Sequence, residues 1–181
     1  MFIQTEQTPN PQTLKFLPNQ KVTGKEGVDY PKSQQAAGSP LASRLFKIDG
    51  VEGVFLGNDF VTITKNPKKD WQILKPALLG AMMDHFTSGQ PAIQTMEAKV
   101  LGVVEDDEIT AKIKELLETR VRPAVAQDGG DIVFADFKDG TVYVHLRGSC
   151  AGCPSSTATL KVGIENMLRH YVPEVKQVKA V

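Results

Sequence analysis

Cys150 and Cys153 are the only cysteines among 181 residues, and they lie together in the run Gly148-Ser149-Cys150-Ala151-Gly152-Cys153-Pro154-Ser155-Ser156. A C-x-x-C pair is half of a four-thiolate metal site, and one chain of this sequence has no cysteines for the other half. The three histidines, His85, His145 and His170, are not spaced from the pair as zinc ligands would be. The pair is therefore a redox dithiol, an inert short loop, or half of a site completed by a second chain. Zinc bridging two chains suits four thiolates as well as an iron–sulfur core does.

The flanking residues restrict the local structure. From Thr141 to Leu146 the chain alternates, with Val142, Val144 and Leu146 on one face and Tyr143, His145 and Arg147 on the other. That pattern predicts a half-buried strand. Downstream, Leu160, Ile164, Met167, Leu168 and Tyr171 recur at helical spacing, which predicts an amphipathic helix over about 155–171. The cysteines thus belong to a tight strand-to-helix loop. Pro154 suits the start of a helix, and Ser155 and Ser156 can accept hydrogen bonds from its first amides. The positive end of such a helix favours thiolate, the form of cysteine that binds metal. Gly148 and Gly152 permit close backbone approach and unusual dihedrals. A thioredoxin-like dithiol also sits at a helix start, but after an early βαβ unit and not after a hairpin near the chain's end.

Further out, the chain divides. Residues 1–86 read as strand, turn, strand, helix, hairpin, helix, with Thr8-Pro9-Asn10-Pro11 and Asn58-Asp59 as the turns. Ser39 caps a short helix with Pro40 first, and residues 20–39 are polar and read as a mobile loop. A longer helix begins near Asp70, buries Leu74, Leu78, Ala81, Met82 and Phe86, and absorbs Pro76 in its first turns. Trp71 and the Met82-Met83 pair serve packing or a partner surface, and Lys68-Lys69 is a solvated turn. Residues 87–105 read as an interdomain linker, although its apolar Ile93, Met96, Val100, Leu101, Val103 and Val104 also suit a partner-binding element.

Residues 106–181 form the second domain. Asp106-Asp107-Glu108 starts a helix with the stripe Ile109, Ile113, Leu116, Leu117 and Val121, which Pro123 kinks or ends. Asp128-Gly129-Gly130 then turns into a hairpin, strands 132–137 and 142–146, reversed at Asp139-Gly140. Asp128 closes the turn before that hairpin. His145 is a surface residue, and residues 175–181 make a short third strand. The fold class is α+β, two small α/β-layer domains joined by a linker.

Composition excludes several classes. Lysine plus arginine balance aspartate plus glutamate at 21 each, so no charge argument favours nucleic acid. No apolar run approaches the ~20 residues of a membrane span, we expect no signal peptide, and two close cysteines are not a secreted disulfide framework. Neither G-x-G-x-x-G nor G-x-x-x-x-G-K occurs, and no Ser/His/Asp arrangement stands out. We expect a cytoplasmic protein, with a processed organellar form as the alternative.

Several motifs together resemble a known family. Arg122-Pro123-Ala124-Val125-Ala126-Gln127-Asp128-Gly129-Gly130-Asp131, the hairpin, the cysteine run and Ile164-Glu165-Asn166-Met167-Leu168 are similar to the NifU C-terminal domain. Gln7-Thr8-Pro9-Asn10-Pro11, Ser39-Pro40-Leu41-Ala42, Gly53-Val54-Phe55 and Asp59-Phe60-Val61-Thr62 resemble the Nfu N-terminal domain. The resemblance covers nearly the whole chain. It implies an iron–sulfur scaffold or carrier, not an enzyme, whose Cys150 and Cys153 ligate a [4Fe–4S] cluster shared by two subunits of a homodimer. It further implies receipt from upstream assembly proteins and delivery to apo iron–sulfur clients, with client docking for residues 1–86. The added cluster domains of nitrogen-fixation NifU proteins and the degenerate A-type carrier domain of other relatives have no counterpart here. The rival readings are a C-x-x-C dithiol oxidoreductase and a dimer-bridging zinc protein.

Overall fold

The computed structural model describes residues 1–24, 26–94, 106–151 and 154–181, with 154–156 described in backbone only. Packing divides the chain into two units, Met1–Ala98 and Lys99–Val181. Both are α+β.

The first unit is a five-stranded antiparallel sheet. Its strands are β1 (Gln4–Gln7), β2 (Thr13–Leu17), β3 (Val28–Tyr30), β4 (Val51–Leu56) and β5 (Val61–Lys65), in the order β1-β2-β5-β4-β3. The first hairpin turns where Asn10 Oδ1 accepts from the Gln12 amide at 3.0 Å, an Asx turn between two prolines. Helices α1 (Pro40–Leu45) and α2 (Trp71–Thr87) bury Leu41, Leu45, Leu74, Leu78 and Met82 in one core with Phe16, Leu56 and Ile63. Each of these fully buried side chains contributes roughly 1.5–3 kcal/mol. Ser39 caps α1 as expected: its Oγ accepts from the Ala42 amide at 3.0 Å and donates to the Ala92 carbonyl at 2.5 Å. Asp70 caps α2, and Pro76 sits inside that helix without ending it. Past α2, Ala92 is buried in the same core.

Residues 20–39 differ from the loop expected of them. They contain β3 and a 3-10 turn over Ser33–Gly38. The sheet's second face carries Phe55 and Lys15, with the Phe60 ring from the β4–β5 turn beside both, and residues of this segment reach it. The Val22 amide donates to the Asn58 carbonyl at 2.7 Å, and a Cβ on Gly27 would meet the Phe55 ring at 2.5 Å.

The second unit starts at α3 (Glu108–Leu116), capped by Asp107, whose side chain accepts from the Thr110 amide at 3.2 Å. The Thr110 hydroxyl first, and its amide second, hold the Asp107 carboxyl below its usual pKa. A π turn over Leu117–Val121 leads into α4 (Arg122–Gln127), so Pro123 falls in the first turn of a new helix. Strands β6 (Gly130–Lys138) and β7 (Thr141–Gly148) then pair antiparallel. Asp139 and Gly140 turn the hairpin with φ of 53° and 78°, the mirror-image turn that matches strand twist. Helix α5 (Pro154–Tyr171) carries the chain to β8 (Gln177–Ala180), which lies parallel to β7 and completes the sheet order β6-β7-β8. Ile113, Leu117, Ile132, Val142, Ile164, Leu168 and Val178 share the core. Tyr171, expected on the buried stripe, is instead 37% exposed, and Val172 takes the core position at 2%. Arg120 lies 4.9 Å over the Tyr171 ring, a cation–π contact that suits a wet site.

Candidate functional site

The loop after β7 is built from two glycine turns held against each other. Gly129 and Gly148 adopt φ of 77° and 62°, left-handed values that a side chain disfavours. Gly130 and Gly148 pair across the ends of β6 and β7. The Ser149 amide donates to the Gly129 carbonyl at 3.2 Å, and the Ser149 hydroxyl donates to the Asp128 carbonyl. On the far side, the Ala151 amide returns to the Gly148 carbonyl at 3.1 Å, and the Thr157 hydroxyl of α5 reaches the Cys150 carbonyl at 3.4 Å. Cys150 is thus fixed by a strand end, a preceding turn and the following helix.

Its side chain is buried, 7% exposed, and packs on the backbone at position 130. A Cβ added at Gly130 would stand 2.3 Å from the Cys150 sulfur, so only glycine fits beneath the thiol. Sequence reasoning assigned close-approach roles to Gly148 and Gly152 and missed Gly130. The hairpin turn alone would set Gly130 opposite Ser149, and the bulge between Phe134 and Asp136 moves its partner to Gly148. Cys153 and Gly152 lie outside the described residues, as does the stretch 95–105 with Met96, Val100, Leu101, Val103 and Val104.

Behind the loop, the two ends of one motif meet. Arg122 grips Asp131 with two hydrogen bonds, Nε to Oδ1 at 2.9 Å and a terminal nitrogen to Oδ2 at 3.2 Å. Its remaining arm holds Glu118 at 2.6 Å, one helical turn back. Burial alone would lower the pKa of this guanidinium, but its bonds to Asp131 and Glu118 hold it above its ordinary value. Asp131 Oδ1 also accepts from the Ile132 amide at 2.9 Å. The clamp ties α4 to the first residues of β6 and so fixes the strand on which Cys150 rests.

The histidines stand elsewhere. His145 is exposed, with Nδ1 3.0 Å from the Val181 carbonyl, and His170 is exposed with its ring edge against Tyr171. His85 belongs to the first unit, where it is fully buried with neither ring nitrogen hydrogen-bonded among the described residues. Burial lowers its pKa, helped by the nearby Arg44 charge. It lies three residues past Met82 on the buried stripe of α2, and its polar identity hid it from the sequence reading. Among the described residues, no three His, Cys, Asp or Glu side chains converge, and no helix is long and apolar enough to cross a membrane.

Comparison with known proteins adds the family. The family model "Scaffold protein Nfu/NifU N terminal" matches residues 3–89, and "NifU-like domain" matches residues 113–179. The human "NFU1 iron-sulfur cluster scaffold homolog, mitochondrial" is 50% identical over 100% of this chain and 72% of its own length. "NifU-like protein 4, mitochondrial" of Arabidopsis thaliana is 52% identical over 99% of this chain, which spans 65% of that relative. Among solved structures, a NifU-like protein from Saccharomyces cerevisiae aligns with a TM-score of 0.48 and 27% identity, over 52% of this chain and 86% of that one. With both family domains in sequence and half its residues shared with the human relative along its whole length, this chain belongs to the Nfu family of NifU-like proteins.

Proposed function

We propose that this chain is an iron–sulfur cluster carrier. Two copies hold one [4Fe–4S] cluster between them through Cys150 and Cys153 of each, receive it from upstream assembly proteins and pass it to apo-proteins. The observation that carries this reading is the loop around Cys150: backbone and side-chain bonds position a soft donor in a chain with just one other cysteine, three residues on. A four-iron cluster takes four thiolates, so a two-fold partner supplies the pair that one chain lacks. The names of the relatives, with "iron-sulfur cluster scaffold" among them, support the same reading. Residues 1–86 act as a client-docking domain, 87–105 as linker and 106–181 as the cluster-binding domain.

Transfer in this scheme is ligand exchange. Client thiolates replace those of Cys150 and Cys153 at the cluster, no electron is required, and the protein is not an enzyme. A cluster held by two chains leaves when they separate, which suits delivery more than permanent electron transfer. The setting is an aqueous intracellular compartment, the cytoplasm or, as the relatives' names suggest, an organelle matrix.

The test is stoichiometry. After anaerobic reconstitution, the protein should hold about four iron and four sulfide per two chains and elute as a dimer. Cys150→Ser and Cys153→Ser should each lose the cluster. A cluster-loaded monomer, zinc alone in anaerobically purified protein, or a reversible disulfide without iron would each displace the carrier reading.

A further inference from the structure

Strand β1 is the outer strand of its sheet, pairing with β2 on one side and with no strand on the other among the described residues. Beside it open two cavities of about 530 and 550 Å³ that share Thr5 and Lys75, and so form one groove. The lining shows which way the groove runs. Gln4, Thr5 and Glu6 of β1 all contribute to it, as do Phe2 and Ile3 just before the strand, and successive strand residues point to opposite faces. A cavity touched by three successive strand residues follows the backbone edge of the strand. The opposite wall is α2, through Trp71, Lys75 and Leu79. The Trp71 indole donates to the Pro11 carbonyl at 3.1 Å, which fixes that wall to the turn closing the groove's end.

An open strand edge facing a helix is the form that accepts an extended peptide as an added strand. Charge selects the peptide. Lys75 is half-buried where the two cavities join and makes no ion pair among the described residues. Glu6, the acid in the lining, already faces Lys15 at 3.5 Å. The groove therefore offers main-chain hydrogen bonds along β1, an exposed apolar contact at Phe2, and one cation without a counter-ion. We infer that this groove docks an extended segment of a partner protein, which adds to β1 and sets an acidic side chain against Lys75. That the partner is an apo-client rests on the carrier reading; the peptide chemistry does not.

Trp71 is the single tryptophan of the chain, so its fluorescence reports on the groove without a label. The probe is a short capped peptide of alternating serine and valine with one central aspartate, beside versions carrying asparagine or lysine there. Titrated into the full cluster-free chain, the aspartate peptide should change Trp71 fluorescence saturably and slow amide exchange at Gln4–Gln7. The asparagine peptide should bind roughly tenfold more weakly, and Lys75→Glu should reverse the preference so that the lysine peptide binds best. Absence of saturation, equal binding of all three peptides, an unreversed preference, or saturation without protection of β1 would overturn the groove. No cluster enters the measurement. A chain that fails here yet loads iron and sulfide loses only this inference, and one that binds peptide but no iron loses only the carrier reading.

Discussion

An alanine at position 130 would bring a methyl group to 2.3 Å from the Cys150 sulfur and to 3.1 Å from the Cys150 backbone nitrogen. The Ser149 and Ala151 amides hold the backbone on either side of Cys150, so the thiol must turn away. Overpacking of this kind costs roughly 1–3 kcal/mol. In a Cys153→Ser background, Gly130→Ala should therefore speed Cys150 labelling by a disulfide reagent, while circular dichroism stays that of the folded protein. An unchanged labelling rate would mean that Gly130 does not seat the thiol. This contact was invisible along the sequence because it joins residues twenty positions apart through strand pairing. The cysteine pair was legible because its chemistry is carried by residue type and spacing alone. His85 shows the opposite limit: a helical stripe counts apolar residues, and a buried imidazole is not counted.

Helices and strands were legible wherever period and punctuation agreed. Ser39, Asp70 and Asp107 cap helices as their positions imply, and Asp139-Gly140 turns the hairpin. The misread segments have tertiary causes. Residues 20–39 lack a strong period, and β3 exists because the β4 edge offers it a partner. Pro123 was expected to kink or end α3, and a π turn lets the chain resume as α4 with the proline's missing N–H near a helix start. This places Arg122 on the first turn of α4, facing Asp131. Removing one partner of a largely buried pair leaves the other charge stranded, so Arg122→Met should cost the second unit about 2–4 kcal/mol in urea unfolding. Arg122→Lys should recover only part, because an ammonium has no bidentate fork. Adding Asp131→Asn to Arg122→Met should restore stability relative to the single variant. Independent, additive losses would show that the clamp is not a coupled unit.

At the scale of the molecule, each unit has its own buried core, its own sheet and its own helix caps. The second unit's Ile113, Ile132, Val142 and Leu168 are each fully buried among its own residues. A chain of residues 106–181 should therefore fold alone, with the modest stability of a small domain, and bind its cluster as the full chain does. What it lacks is the β1–α2 groove. Joining a docking site to a cargo site raises the effective concentration of cargo at the docked client, to about the millimolar range for a short flexible connection. At client concentrations well below that, the isolated unit should transfer its cluster tenfold or more slowly than the full chain. Both should reach the same rate once client saturates the undocked encounter, since the proposed exchange at Cys150 and Cys153 does not involve the first unit. Charge reversal at Lys75 in the full chain should reproduce part of the loss for clients that use the groove. The measurement is the rate at which an apo iron–sulfur enzyme gains activity from each loaded protein, with a chelator present to intercept released iron. Equal rates at every client concentration would confine the first unit to some task other than docking. Suppression of transfer by the chelator would make the protein a store of cluster and not its courier.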